Sequence, residues 1–238
     1  MKVTKLEDLK KEMDEKDFKT AQKEALEDLV FERKMKKQRK EKGYCDRDVW
    51  DIDRWFLSIM PKIIHEFIES VDSFPSVFLT DYYEKRIKPF GLCTEEEFFS
   101  FPKNKETKAL LKKADQSCFR RWKNILKSME RAFLDASEDT CSYKNKYEEA
   151  FHVAFQEYEE KYGRHGEKVK DNPYVKHLPD GATSYQYANN PYLMENLDEY
   201  KDIYKLYYDE EHKIEKYREK SEKKAFKYFI KYFHHLWS

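Results

Sequence analysis

Hydrophobic positions recur with a helical period along most of the chain. Leu6, Leu9 and Met13, then Phe18, Ala21, Ala25, Leu29 and Val30, fall mostly three or four residues apart, on one face of a helix. Thr4 with Glu7 has the form of a capping box, so this helix is expected to begin at Lys5. Asp14 to Asp17 interrupts the stripe. Beyond it the helix runs towards Lys42 and ends at Gly43, a residue suited to the left-handed position after a helix. A second stripe is made by Val49, Ile52, Phe56, Ile59, Met60, Ile63, Phe67 and Val71. Trp50, Trp55, Ile64 and Ile68 widen it, which marks a central helix. Asp48 is its expected N-cap, with Asp51 at N3, and Pro61 is expected to kink it or split it at Met60.

Residues 72–93 read as a loop and a short helix, and Thr94 with Glu97 as a capping box for another, stopped by Pro102. A clean amphipathic helix follows over about 107–137, carrying Trp122, Leu126, Met129 and Phe133. Tyr143, Tyr147, Phe151, Phe155, Tyr158 and Tyr162 form the next, which Gly163 closes. The short link between these two predicts an antiparallel hairpin. Residues 163–190 have loop chemistry, with Asn172-Pro173, Pro179-Asp180-Gly181 and Asn189-Asn190. Asn190 and Pro191 are expected to start the last helical region, either one helix of about 45 residues or two folding back near Lys216–Lys224. Its aromatic end, Phe226 to Trp237, must dock on the core or mediate association.

This pattern predicts an all-α fold: long amphipathic helices packed as an irregular bundle, with one long loop at about 163–190. A charged helical arm (1–43) would precede a helical domain with an aromatic-rich core (44–238). Composition adds two constraints. The 47 basic and 47 acidic residues cancel, which removes the overall basic excess of a non-specific nucleic-acid binder. The 18 Tyr and 17 Phe must supply much of the buried area. The basic run Arg33 to Lys42 reads as a solvated helix end, rather than a nucleic-acid patch, because no aromatic residues interleave it. Apolar runs are too short for a membrane span, and the N-terminal sequence carries no signal-peptide pattern. The wide spacing of Cys45, Cys93, Cys118 and Cys141 points to reduced structural thiols in a cytoplasmic protein.

Candidate chemistry is sparse. Glu66/Glu69 and Glu199/Asp202 have the spacing of magnesium-holding pairs in all-α nucleotide pyrophosphohydrolases, but such spacing recurs by chance among 47 acids. Glu149 and His152 give one Glu-x-x-His where a di-iron bundle needs two. Neither a nucleophile elbow nor a phosphate loop is present, so no catalytic residue, metal ligand or cofactor is expected. The best binding candidate is Asp46-Arg47-Asp48-Val49-Trp50-Asp51-Ile52-Asp53-Arg54-Trp55. Its acids suit a helix start and its Trp residues a core, whereas Arg47, Trp50, Arg54 and Trp55 would also suit a polar-aromatic pocket. Tyr185 and Tyr187 make the long loop a second binding candidate.

Several stretches together are distinctive: Gly43-Tyr44, Asp46-Arg47-Asp48-Val49-Trp50, Asp53, Trp55-Phe56 and Met60-Pro61-Lys62. To these belong Trp122, Ile125-Leu126, Met129, Phe133, Glu138-Asp139-Thr140-Cys141-Ser142, Lys144-Asn145, Tyr147-Glu148-Glu149, Tyr217-Arg218-Glu219 and Phe229 to Trp237. In these residues, spread over about two thirds of the chain, it resembles a family of uncharacterised helix-rich proteins encoded by tailed phages and prophages of gut bacteria. The resemblance implies context and carries no activity: a phage-encoded protein acting in the bacterial cytoplasm. The expectation is therefore a non-enzymatic binding protein that sequesters or inhibits a host protein or a small nucleotide ligand, as anti-defence proteins do. A homo-oligomer is a further expectation. A metal-dependent pyrophosphohydrolase and a virion assembly accessory are the alternatives.

Overall fold

The computed structural model describes residues 15–100, 104–178 and 182–236, with side chains from Gln22 onward. The Thr4/Glu7 cap, the Leu6–Met13 stripe, Pro102, Pro179 to Gly181 and Trp237 lie outside them. The described residues form eight α-helices and one two-stranded sheet. The chain divides into two compact units, Met1–Ile59 and Met60–Ser238, so residues 44–59 group with the N-terminal arm.

In the first unit, α1 (Glu15–Lys42) ends where Gly43 takes φ +82°, with its amide donating to the Arg39 carbonyl (3.0 Å). The short α2 (Asp46–Trp50) follows directly. Its N-cap is Cys45 rather than Asp48. Asp48 sits at N3 and accepts from the Cys45 amide (2.8 Å), the reciprocal half of a capping box. The Arg39 guanidinium grips the same carboxylate with two bonds (3.0 and 2.6 Å), while Gln38 exchanges two bonds with Asp46 (2.8 and 2.9 Å). These contacts tie α2 back onto the last turns of α1. They also pair part of the basic helix end, as Lys34 reaches Asp46 (3.4 Å) and Lys37 reaches Glu41 (3.8 Å).

α3 runs over Ile52–Ser70. It stays helical through Pro61, which is buried; the lost hydrogen bond does not divide the element.

The second unit is built on α6 (Lys105–Ala136) and α8 (Lys201–Tyr232). They run antiparallel: Trp122 meets Tyr232 (5.4 Å between rings), Phe133 meets Phe226 and Phe229 (5.7 and 6.1 Å), and Asp135 accepts from Tyr217 (2.8 Å). α8 is a single helix of 32 residues, continued by a 3-10 turn, Phe233–His235. It starts at Lys201, eleven residues after Asn190, which instead makes an Asx turn, its side-chain oxygen accepting from the Tyr192 amide (3.0 Å). The expected hairpin of neighbours is replaced by this pairing. α7 (Glu148–Tyr162) packs on α8.

Residues 137–147 explain the exchange of partners. They leave α6 as a hydrogen-bonded clamp rather than a tight turn. Asp135 accepts from the Ser142 amide and hydroxyl (3.0 and 2.6 Å). Asn145 donates to the Tyr207 carbonyl (3.0 Å) and Glu211 (2.7 Å), and Tyr143 donates to Glu210 (3.0 Å). Much of the distinctive sequence from Glu138 to Tyr147 and at Tyr217-Arg218 thus holds α8 in register, with Arg218 reaching Glu138 (2.9 Å).

α4 (Val77–Tyr82) continues through a π-helical turn, Tyr83–Ile87, and a 3-10 turn, Lys88–Phe90. With α5 (Glu95–Phe99), opened by the expected Thr94/Glu97 box, it buries Tyr83, Ile87 and Phe98 against Ala114 of α6.

Candidate ligand-binding site

The predicted site residues separate into two groups. Arg47 lies 3.8 Å from Glu32, both exposed. Trp50 is 87% exposed, so it is no core anchor, and Trp55 is half-buried. The reason is the break at Asp51, where α2 stops and α3 begins: the stripe read as one continuous helix is two, and Trp50 ends on the outer side of the first. Arg54 sits exposed in the first turn of α3.

Tyr187 lines a built cleft, and Tyr185 stands beside it against His165. The described residues of the 163–190 stretch form a hydrogen-bonded strap. β1 (Val175–His177) and β2 (Thr183–Tyr185) pair antiparallel within it, with Val175 opposite Tyr185. Buried Asn172 donates to the Gly166 carbonyl (2.8 Å) and accepts from the Tyr174 amide (3.0 Å). The Lys168 ammonium donates to the carbonyls of Glu159 and Glu160 (3.1 Å each), closing the end of α7. Glu167 accepts from the amides of Arg164 (3.1 Å) and His165 (2.6 Å). Burial pushes the Glu167 carboxyl up, but these amides outweigh it and leave it below its ordinary value. Gly163, at φ +77°, has no room for a Cβ, which would fall 2.5 Å from the Glu167 carboxyl carbon.

The strap covers one side of a cleft of about 560 Å³. α7 contributes Phe151, Phe155 and Tyr158 at helical spacing, and α8 contributes Tyr204 and Tyr208. The strap adds Arg164, His165 and Tyr187, and the segment after it, with a 3-10 turn at Met194–Asn196, adds Leu193, Met194 and Glu195. His165 is packed between Tyr185 (4.5 Å) and Tyr187 (5.7 Å), so Tyr187 lines the cleft and Tyr185 positions the imidazole beside it. Tyr158 is fully buried and donates to the Tyr192 carbonyl (3.0 Å); burial raises its phenol to about 12. Tyr204 is shifted upward too, by burial first and then by Glu195. Both phenols stay neutral donors over the physiological range. Tyr187 and Tyr208 are the open edge, 55% and 46% exposed.

Chemically, the cleft offers aromatic faces with three polar groups, Arg164, His165 and Glu195, to orient what enters. Glu195 is the one carboxylate among its lining residues. The acid pairs considered for magnesium lie elsewhere: Glu199 is bound by Tyr162 (2.7 Å) and Lys161 (2.9 Å), while Glu66 and Glu69 are exposed on α3. The described residues bring no three potential ligands together around a metal position. His152 of the Glu-x-x-His pair is exposed and bonds Gln156 (3.1 Å). All four cysteines are free, three of them buried. No described helix is long and apolar enough to cross a membrane.

The helical stripe supplied Phe151, Phe155 and Tyr158, which pack into one cluster and form the cleft wall at once. Arg164, His165 and Glu195 gave no sequence signal, because only the fold of the strap brings them to α7 and α8. No family model, curated protein or solved structure matches the chain.

Proposed function

We propose that this is a non-enzymatic binding protein that captures an apolar segment of a protein partner in the tyrosine cleft. The sequence resemblance supplies its context: a phage-encoded factor sequestering a host protein in the bacterial cytoplasm. The observation that carries the reading is the pair Tyr187 and Tyr208, large amphipathic rings left open beside buried Tyr158 and half-buried Phe151, Phe155 and Tyr204. Tyrosine gives a broad contact area at low conformational cost and is favoured where proteins meet. The hydrogen-bonded strap holds its half of the cleft before any partner arrives, which lowers the entropy lost on binding.

The test places the photo-crosslinking residue p-benzoylphenylalanine at position 187 and irradiates the chain in bacterial cells. A discrete protein adduct that disappears with Tyr208→Ala is expected. Both positions are exposed, so the fold should survive the changes, which circular dichroism checks. An absence of adducts, or adducts indifferent to Tyr208, would overturn the reading.

A further inference from the structure

A second cleft, of about 630 Å³, opens in the same unit between α4 with its π-helical turn and α6. Its floor is apolar: Phe78, Ile87 and Cys118 are buried and Leu110 half-buried. Four cations surround it, Lys85, Arg86, Lys113 and Arg121, against the single acid Asp81. Asp81 is already taken up, holding Lys85 at 2.6 Å and Arg121 at 2.5 Å. Those bonds pin Arg121 over the Phe78 ring, 4.7 Å from its centre. Arg86 and Lys113 are exposed and make no ion pair with a described residue. In a chain whose charges cancel overall, this is a local positive excess above a low-dielectric floor, where an anion is focused.

Two further features narrow the ligand. Phe90 and Leu92 stand at the cleft 72% and 52% exposed, large apolar groups with an open face beside the free cations. The π-helical turn, Tyr83–Ile87, carries Lys85 and Arg86 where an α-helical turn would aim them differently; such turns recur at functional sites. A simple anion would use the cations and ignore the ring, and an apolar ligand the reverse. The volume suits a ligand that uses both, within the range of small-molecule sites.

We infer that this cleft binds a nucleotide, with Arg86 and Lys113 holding the phosphates and Phe90 stacking on the base. The cleft shares no lining residue with the tyrosine cleft, so the two assignments stand or fall separately.

Isothermal titration of the full chain tests this with ADP and GDP, against adenosine, inorganic phosphate and an oligoglutamate peptide. A diphosphate is expected to bind in the micromolar range, with adenosine and phosphate each weaker by about tenfold or more. Arg86→Ala with Lys113→Ala should weaken ADP by about tenfold and flatten its salt dependence. Phe90→Ala should weaken ADP while leaving inorganic phosphate unchanged. Tyr208→Ala should alter none of these values. The inference is overturned if neither diphosphate binds at millimolar concentration, or if phosphate or the peptide binds as tightly as ADP. It is equally overturned if ADP binding is indifferent to Arg86 and Lys113.

Discussion

Asp48 and Asp135 do the same work in different units. Each is a nearly buried carboxylate that accepts from the backbone of a neighbouring turn and from an arginine: Cys45 and Arg39 for Asp48, Ser142 and Arg131 for Asp135. Each also secures a buried cysteine, since Cys45 is the bonded residue itself and Cys141 precedes Ser142. Thiol labelling therefore reports on both. Asp48→Ala removes two charge-assisted bonds and one amide bond; with Arg39 half-exposed the loss is about 1–2 kcal/mol. Cys45 should then react with iodoacetamide roughly ten times faster, as local opening becomes easier. Asp135→Ala should do the same for Cys141. Unchanged labelling in either variant would show that the carboxylate decorates its turn without holding it. Gly43 is a different residue-scale device. Nothing lies within 4 Å of a Cβ placed there, so Gly43→Ala costs only the left-handed backbone, about 1–2 kcal/mol in urea unfolding.

At the scale of elements, the clamp over residues 137–147 decides how the helices pair. Its key side chain is Asn145, only 8% exposed, which donates to Tyr207 and Glu211 and accepts from the Tyr147 amide (2.9 Å). Asn145→Ala takes the acceptor from the Tyr147 amide and a donor from Glu211 and should lower stability by about 1–3 kcal/mol, read from the urea midpoint. A variant of wild-type stability would mean that aromatic packing alone sets the register of α8. This also marks the limit of what the sequence discloses. A 3.6-residue stripe announces that a helix has a buried face, and α6 falls within two residues of its expected ends. The stripe does not say which helix covers that face. The choice of α8 over α7 depends on Asp135, Asn145 and Glu210, each of which reads as an ordinary surface polar residue until its partners some 60 to 80 positions away are known. The strap is similar: its Gly, Asn and Pro residues announce turns, while Glu167, Asn172 and Asn190 turn those bends into a cleft wall. In the α2–α3 stretch the periodicity itself misled, because Trp50 fits the stripe of a helix that Asp51 interrupts.

The whole molecule responds to pH through the sum of such carboxylates. Asp46, Asp48, Asp81, Asp135, Glu167, Asp198, Glu199 and Glu210 all lie below their ordinary values. Hydrogen bonds lead for most: Arg39 at Asp48, Tyr162 at Glu199, Lys213 at Glu210. At Asp135 burial pushes up, and Ser142, Tyr217 and Arg131 together push further down. A carboxyl depressed on folding stabilises above its unfolded value, about 4, and loses that contribution as pH falls through its folded value. Against the Asp115 carboxyl, which burial raises, these eight shifts make the unfolded chain take up more protons than the folded one in acid, and the melting temperature should fall below about pH 4. Tyrosines set the alkaline side with the opposite sign. Tyr158 is raised from 10.0 to about 12, so its contribution is complete below 10 and fades as pH climbs through 12. Asp135→Asn tests the acid limb without emptying the turn. It deletes one titrating group, so the slope of stability against pH between about 4 and 2 should shrink by at most one proton's worth. If the slope is unaltered, Asp135 titrates alike in the folded and unfolded chains, and the hydrogen bonds from Ser142 and Tyr217 only offset its burial.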